Sequence, residues 1–161
     1  MDEILEILEK DARVTADEIA KMTGMATQKV KQAIKNYQKR GVILKYKTII
    51  NEELVEDVGK PVRALIEVKV VPQKNVGFDS VAERIYGFPE VASCYLVSGT
   101  YDLLLIVEGK DIRTVASFVA EKLSPMENVR GTVTHFLLKK YKDDGVMLKA
   151  PGKDKRLAIS L

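Results

Sequence analysis

The stretch TADEIAKMTGMATQKVKQAIKNYQKRG, residues 15–41, predicts two helices joined by a short turn. Thr15 and Glu18 have the spacing of a capping box, in which each side chain bonds the backbone amide of the other residue and so begins a helix. Gly24 stands where that helix should end, because glycine adopts the left-handed conformation of a helix terminus at little cost. The next helix begins a few residues later and is stopped by Gly41. Two short helices joined in this way are the helix-turn-helix pattern.

The second helix of this pair has two chemically distinct faces. Four residues recur at the spacing of a stripe that faces the core: Val30, Ala33, Ile34 and Tyr37. The opposite face has amides and ammonium groups but no carboxylate, and glutamine can bond adenine bidentately while lysine meets guanine or phosphate. The alternative is an ordinary solvated helix, which would usually mix glutamate into its exposed face. We therefore predict contact with double-stranded DNA through Thr27, Gln28, Lys29, Lys31, Gln32, Lys35 and Lys39.

The distribution of charge also favours a polyanionic partner for the N-terminal third. Residues 1–50 contain ten Lys/Arg and seven Asp/Glu, whereas residues 51–161 contain sixteen of each. The whole net charge of +3 therefore lies in the first third of the chain. Between Ala26 and Lys47 there are seven Lys/Arg and no acidic residue. Such a local basic field is typical of a nucleic-acid-binding surface.

Composition argues against several other classes of protein. No apolar run reaches the roughly 18 residues that a membrane-spanning helix needs, and acidic residues follow Met1 at once, unlike a signal peptide. A single cysteine fits a reducing compartment, so we expect a cytoplasmic protein. We interpret Cys94 as a buried inert thiol and His135 as structural or surface-exposed, since one Cys and one His cannot close a zinc site by themselves. With no phosphate-binding glycine loop and no catalytic set, we predict neither a metal, a cofactor nor an enzyme.

A second domain follows an acidic segment, residues 51–62, that we interpret as a linker. Runs of alternating or continuous apolar residues predict strands over 63–71, 91–97, 103–107 and 132–141. Helices are expected between them, over 78–87 and near 112–119. The order βαββαβ is the ferredoxin-like arrangement, in which two helices cover only one face of the sheet. We expect the other face to be buried in a homodimer.

The sequence thus predicts an α+β protein. Its expected segments are a winged helix-turn-helix domain over 1–50, the linker over 51–62, a ferredoxin-like domain over 63–145 and a tail over 146–161 that could form a hairpin. Within the first segment, residues 2–10 predict a short helix with its leucines and isoleucines on one side. Residues 42–44 and 46–50 are short β-type runs that could form the wing, or the strand that leads out of the DNA-binding unit.

Four motifs, in order along nearly the whole chain, resemble the Lrp/AsnC family, the feast/famine regulators. The first two are Ile4-Leu5…Leu8…Asp11-Ala12-Arg13 and Ile19-Ala20…Gly24-Met25…Val30…Ile34…Gly41-Val42-Ile43. The third and most specific is Val97-Ser98-Gly99-Thr100-Tyr101-Asp102, which resembles the family's Gly-x-Tyr/Phe-Asp turn. The fourth is Gly131-Thr132-Val133-Thr134, leading to Leu138-Lys139-Lys140-Tyr141-Lys142-Asp143-Asp144-Gly145.

The resemblance implies a transcription regulator in which a winged helix-turn-helix is joined to a sensor domain often called RAM. It also implies dimers that often assemble into tetramers or octamers, and an amino-acid effector bound between sensor domains near the Gly-x-Tyr-Asp turn. The candidate effector-binding residues are Ser98, Gly99, Thr100, Tyr101, Asp102, Thr132 and Thr134.

The chemistry of the turn fits an amino acid, although a purely structural role is the alternative. An α-carboxylate needs clustered N–H donors and an α-ammonium needs an acceptor such as Asp102. In the structural alternative, Gly99 supplies a positive φ and Asp102 bonds local amides. Thr132 and Thr134 are two apart in a strand and therefore lie on one face, where both could line a pocket.

Two departures from the family pattern bear on DNA binding. Ala26 replaces the usual serine at the start of the second helix of the pair, so we expect Thr27 to cap that helix. Many members have threonine at the position of Lys29 and arginine at that of Ala33, and loss of the arginine removes one DNA contact. The alternative function is therefore a metabolite-sensing oligomer whose degenerate helix-turn-helix contacts a protein partner.

Overall fold

The protein is α+β, as predicted, and its two compact units are Met1–Ile50 and Asn51–Leu161. The computed structural model describes residues 2–56, 59–71 and 77–148. Within these ranges the first unit is helical and the second holds the β-strands.

Three helices build the N-terminal unit: α1 (Glu3–Lys10), α2 (Ala16–Thr23) and α3 (Thr27–Lys39). They enclose a small core whose buried members are Ile4, Leu8, Ile19, Ala20 and Val30. Val30 is fully buried, which confirms the predicted core-facing side of α3.

The predicted signals at the two ends of α2 are confirmed. Thr15 Oγ1 accepts from the Glu18 amide at 3.3 Å, and Glu18 Oε2 accepts from the Thr15 amide at 2.7 Å, which completes the capping box. These hydrogen bonds also lower the pKa of the Glu18 carboxyl. Gly24 ends the helix with a φ of 69°, a left-handed conformation that glycine adopts without strain.

Two expectations for this unit are wrong. Thr27 does not cap α3: the capping position is Ala26, which has extended backbone and makes no side-chain hydrogen bond, so Thr27 is already helical. The β-type runs at 42–44 and 46–50 form no strand, and residues 44–50 have no regular structure. A strand needs a neighbour to pair its backbone groups, and the described part of this unit offers none.

The C-terminal unit has the predicted ferredoxin-like topology. Its elements are β1 (Val62–Val70), α4 (Asp79–Tyr86), β2 (Val91–Leu96), β3 (Leu103–Gly109), α5 (Ile112–Ser117) with a π-helical extension (Phe118–Leu123), and β4 (Val129–Phe136). The antiparallel sheet has the strand order β2-β3-β1-β4, so β1 and β3 are central.

Helices α4 and α5 cover one face of this sheet and form the main core with it. The fully buried residues of the central strands are Ala64, Ile66, Val68, Leu103, Leu105 and Val107. They alternate along β1 and β3 and meet across the ladder, for example Ile66 opposite Leu105. The sheet therefore has one helix-covered face and one helix-free face, as the βαββαβ order predicts.

The fourth strand differs from its predicted range of 132–141. It begins earlier, at Val129, and ends at Phe136, which lies opposite Ala64 near the start of β1. Beyond that point β1 has almost no residues left to pair with, so the chain leaves the sheet. The last contact is a hydrogen bond from the Leu137 amide to the carbonyl of Arg63.

The segment predicted as a linker, 51–62, is not free along its length. Glu52–Leu54 forms a 3₁₀ turn, and Val62 is already part of β1. The Arg63 guanidinium forms ion pairs with Glu52, at 3.0 Å, and with Glu108. Because Arg63 lies in β1, the pair with Glu52 attaches the 3₁₀ turn to the sheet. Burial alone would lower the pKa of Arg63, but its carboxylate partners raise it.

The hairpin expected in the tail, with its turn at Pro151-Gly152, lies outside the described residues, and a different hairpin stands at the end of the described chain. Strands β5 (Lys142–Asp143) and β6 (Val146–Met147) pair through Asp144 and Gly145, whose φ angles are 44° and 80°. Two consecutive positive φ values are what a tight two-residue hairpin turn requires, and Asp-Gly is a favoured sequence for it. The rest of the predicted tail, 149–161, and Pro72 lie outside the described residues.

Candidate DNA-binding face and effector site

Helix α3 presents its polar side to solvent, as predicted. Of the predicted DNA-binding residues, Thr27 is half-buried and the other six are exposed: Gln28, Lys29, Lys31, Gln32, Lys35 and Lys39. None of these lysines forms an ion pair with another described residue, so their charges are available to a partner. The face also lacks any acidic side chain from the helix itself.

The exposed residues of α3 form two parallel rows. Gln28, Gln32 and Asn36, which we name the amide stripe, follow each other at four-residue intervals. Lys31, Lys35 and Lys39, which we name the lysine stripe, run beside it. At 100° per residue, Lys29 falls on the other side of the amide stripe. Amides flanked by cations on both sides match a major groove, where base edges lie between two phosphate backbones.

Asn36 is the one member of the amide stripe that was missed from the sequence. Gln32 Nε2 donates to Asn36 Oδ1 at 3.2 Å, and both residues are exposed. The four-residue spacing of two amides on one helix face could have revealed the pair, because residues i and i+4 are neighbours on a helix surface.

The candidate effector site contains the turn between β2 and β3, residues 98–102, which we name the sensor turn. Ser98, Gly99 and Thr100 are exposed, and Tyr101 and Asp102 are half-buried. Gly99 has a φ of 155°, and an added Cβ would meet nothing within 4 Å, so its constraint is backbone conformation rather than space. No amide from Ser98 to Tyr101 donates to another described residue. The sensor turn therefore presents a small group of available N–H donors.

Asp102 fastens the sensor turn to the sheet. Its Oδ2 accepts from the Val70 amide at 2.8 Å, and its own amide donates to the Val68 carbonyl at 3.1 Å. Pairing between β1 and β3 ends at Val68 opposite Leu103, so the carboxylate takes the place of the missing strand partner for Val70. These two hydrogen bonds give Asp102 a structural role in holding the turn. A carboxylate still has further acceptor sites after one hydrogen bond.

Thr132 and Thr134 share one side of β4. They lie opposite Val68 and Ile66, so both point to the helix-covered face, where they are half-buried. Val68 also pairs with Leu103, the residue that follows the sensor turn. Thr132 therefore stands at the same end of the sheet as the sensor turn, two strands and about 10 Å away. The structure brings the two parts of the predicted site to one end without joining them by a hydrogen bond.

Cys94, predicted to be buried, is half-buried and packs against the main core, and this burial raises the pKa of its thiol. His135 lies on the helix-free face with its Nε2 at 3.2 Å from Glu67 Oε1. Within the described ranges, no group of three metal-ligating side chains is found, and no helix is long and apolar enough to cross a membrane.

Comparison with known protein families agrees with both halves of this arrangement. Residues 63–147 match the Lrp/AsnC ligand binding domain. The chain belongs to the Lrp/AsnC family. Residues 3–43 match a winged helix-turn-helix DNA-binding model, so the resemblance drawn from the four sequence motifs is confirmed.

Relatives in this family cover almost all of the chain. It is 47% identical over 158 residues to the HTH-type transcriptional regulator YugG of Bacillus subtilis, covering 98% of this chain and 95% of the relative. It is 32% identical to the HTH-type transcriptional regulator FL11 of Pyrococcus furiosus, covering 87% and 88%. A feast or famine regulatory protein from M. tuberculosis, solved in complex with L-methionine, is 25% identical with a TM-score of 0.68, covering 91% of this chain and 95% of that one. The Lrp/AsnC protein is therefore a DNA-binding transcription regulator and not an enzyme.

Proposed function

We propose that this Lrp/AsnC regulator binds a specific DNA sequence and that a small effector, an amino acid, modulates this binding. The observation that carries the first half is the acid-free exposed side of α3, with amides between cations. The second half is supported by the sensor turn, with available N–H donors beside a carboxylate. These groups suit the α-carboxylate and α-ammonium of an amino acid. The relative from M. tuberculosis, which was solved with L-methionine, supports the same ligand class.

The effector site is proposed to contain the sensor turn together with Thr132 and Thr134. The two parts lie at the same end of the sheet, about two strand spacings apart. The base-reading residues are proposed to be Gln28 and Gln32, with Thr27, Lys29 and the lysine stripe contacting the backbone.

A homodimer is proposed to form through the helix-free face of the sheet, with further assembly to a tetramer or octamer. The apolar residues of this face are Leu65, Tyr95, Leu104, Ile106 and Val133. Tyr95 and Val133 are half-exposed in the single chain, at 50% and 52%. Burying these side chains against a second copy is favourable at roughly 25 cal/mol for each Å² of apolar surface. Two-fold symmetry would also pair the α3 helices of the two copies, as a repeated half-site requires.

The proposal assigns one function to each domain of the chain. The DNA-binding domain ends near residue 50, the connecting segment covers 51–62, and the sensor and oligomerisation domain covers 63–145. A transcription regulator must reach genomic DNA. By analogy with the bacterial and archaeal relatives, we therefore propose that this one is located in the cytoplasm of a prokaryotic cell.

Two measurements test the proposal. Purified protein should enrich particular duplexes from a library with a randomised centre. In a thermal-shift screen of the twenty amino acids, a ligand at 100 times its dissociation constant should stabilise the fold by about 2.7 kcal/mol. Enrichment of no duplex would favour the alternative, a metabolite sensor whose degenerate helix-turn-helix contacts a protein, for which Ala33 in place of arginine is the supporting observation. Light scattering that gives the monomer mass of 18.0 kDa at micromolar concentration would contradict the dimer.

A further inference from the structure

The amide stripe contains one hydrogen bond that DNA contact alone does not require. Gln32 Nε2 donates to Asn36 Oδ1 at 3.2 Å, on the exposed side of α3. We propose that Asn36 is a positioning residue for base recognition, which holds the Gln32 carboxamide in the orientation that reads adenine. The inference rests on the proposed DNA-binding function and adds a residue to it.

The hydrogen-bonding capacity of glutamine makes both interactions possible at once. A carboxamide nitrogen carries two N–H groups, and its oxygen has two lone pairs. Bidentate recognition of adenine uses one N–H and the oxygen. The bond to Asn36 uses the second N–H, so Gln32 can read a base without releasing its neighbour.

The hydrogen bond restricts how the Gln32 carboxamide can face the groove. If Gln32 alone turned over, its Oε1 would face Asn36 Oδ1, and two acceptors cannot bond each other, so Asn36 would also have to turn over and donate through its Nδ2. In the observed arrangement Asn36 Oδ1 accepts from Gln32 Nε2, which leaves the second N–H and the oxygen of Gln32 available for the DNA. The hydrogen bond restricts the side-chain rotations of Gln32 before DNA binds. Less conformational entropy is then lost on binding, which improves discrimination between base pairs.

The surroundings of the pair explain why an amide, rather than an acid, is suited to this position. Asn36 lies beside Lys35 and one turn from Lys39, next to where a phosphate backbone would run. A carboxylate would accept the same hydrogen bond but would repel the phosphates. Asparagine supplies the acceptor without the charge.

The test begins with duplexes that the full-length protein enriches from a library with a randomised centre. Affinities are then measured for the parent and for Gln32→Ala, Asn36→Ala and Asn36→Asp, on the selected duplex and on versions with single A·T pairs changed to G·C. We expect Gln32→Ala to abolish the preference at one A·T pair. Asn36→Ala should reduce the preference at the same pair roughly three- to tenfold, with little change on unrelated DNA.

The remaining variants separate orientation from charge. Asn36→Asp should keep the preference at that pair, since its carboxylate still accepts from Gln32, while binding all duplexes more weakly. Gln28→Ala is the matched control, because it removes an amide one turn away and should alter a different base pair. Circular dichroism checks that each exposed substitution leaves the helices intact.

The outcomes distinguish this inference from the proposed function. If Gln32→Ala abolishes a base preference that Asn36→Ala leaves unchanged, the positioning role is overturned and sequence-specific binding stands. A loss of preference at a different pair in Asn36→Ala overturns it as well, since Asn36 would then read a base itself. If the parent enriches no duplex, sequence-specific binding and the positioning role both fail.

Discussion

Substitution of Asp102 separates the two roles that the structure and the proposal give to its carboxylate. Oδ2 accepts from the Val70 amide at 2.8 Å, in a half-buried position where β1 no longer pairs with β3. A hydrogen bond to a charged group contributes about 1.5–3 kcal/mol, and a neutral one about 0.5–1.5 kcal/mol. Asp102→Ala leaves the Val70 amide without its acceptor and should lower the free energy of unfolding by about 2 kcal/mol. Asp102→Asn keeps an acceptor and should cost about 1 kcal/mol.

The assay is urea unfolding of the full-length protein at fixed concentration, followed by the thermal shift with the amino acid that stabilises the parent. If Asp102 also receives the ligand ammonium, folded Asp102→Asn should bind DNA as the parent does and lose the response to that amino acid. Asp111→Ala is the matched control. Asp111 accepts from the Thr114 amide at 2.7 Å at the start of α5, so its loss should destabilise the fold comparably and leave the response intact.

Two results would refute parts of this reasoning. An Asp102→Ala variant as stable as the parent within about 0.5 kcal/mol would show that the hydrogen bond to Val70 contributes nothing net. A folded Asp102→Asn variant with unchanged amino-acid affinity would remove Asp102 from the effector site and leave it as the anchor of the sensor turn.

The remaining predictions concern the helical unit. Lys31→Ala and Lys35→Ala should each weaken binding to all duplexes and reduce the slope of log affinity against log salt by about one; unchanged slopes in both would place the lysine stripe away from phosphates. Ala26→Ser should raise the free energy of unfolding by about 1 kcal/mol, because the backbone there already has capping conformation (φ −67°, ψ 134°) and lacks only the side-chain acceptor; a neutral or negative change in urea unfolding would contradict this. Because hydrogen bonds with Thr15 lower the pKa of Glu18 in the fold, its stabilising contribution is present above the ordinary glutamate pKa and lost as pH falls through the lowered value. Glu18→Gln should therefore flatten acid unfolding below about pH 4, and an unaltered acid profile would argue against the capping box.

Local signals in the sequence were sufficient where a few neighbouring residues decide the conformation. The capping box of Thr15 and Glu18 and the left-handed Gly24 need only their own backbone, and both are found. The buried side of α3 follows from its 3.6-residue period, and the apolar alternation of β1 fixes which residues face the helices.

Features that depend on a distant partner could not be read in the same way. The runs at 42–44 and 46–50 have β-type composition but no strand to pair with among the described residues, and β4 ends where β1 runs out at Ala64. The anchor between Asp102 and Val70 joins residues 32 positions apart, so sequence suggested local amides instead. The exposed polar side of α3 was predictable from the sequence, whereas the bond between Gln32 and Asn36 depends on side-chain conformation.

The position of the sensor turn favours regulation through assembly over a shape change within one chain. Asp102 anchors the turn at the C-terminal end of β1, whereas the segment leading from the DNA-binding unit is held at the other end by Arg63. Between them, β1 pairs on both sides and contributes fully buried residues such as Ile66 to the core. A close-packed central strand resists small continuous deformations. In the proposed assembly, an effector bound at the turn would therefore act most directly on surfaces between copies, and so on the spacing of the paired α3 helices.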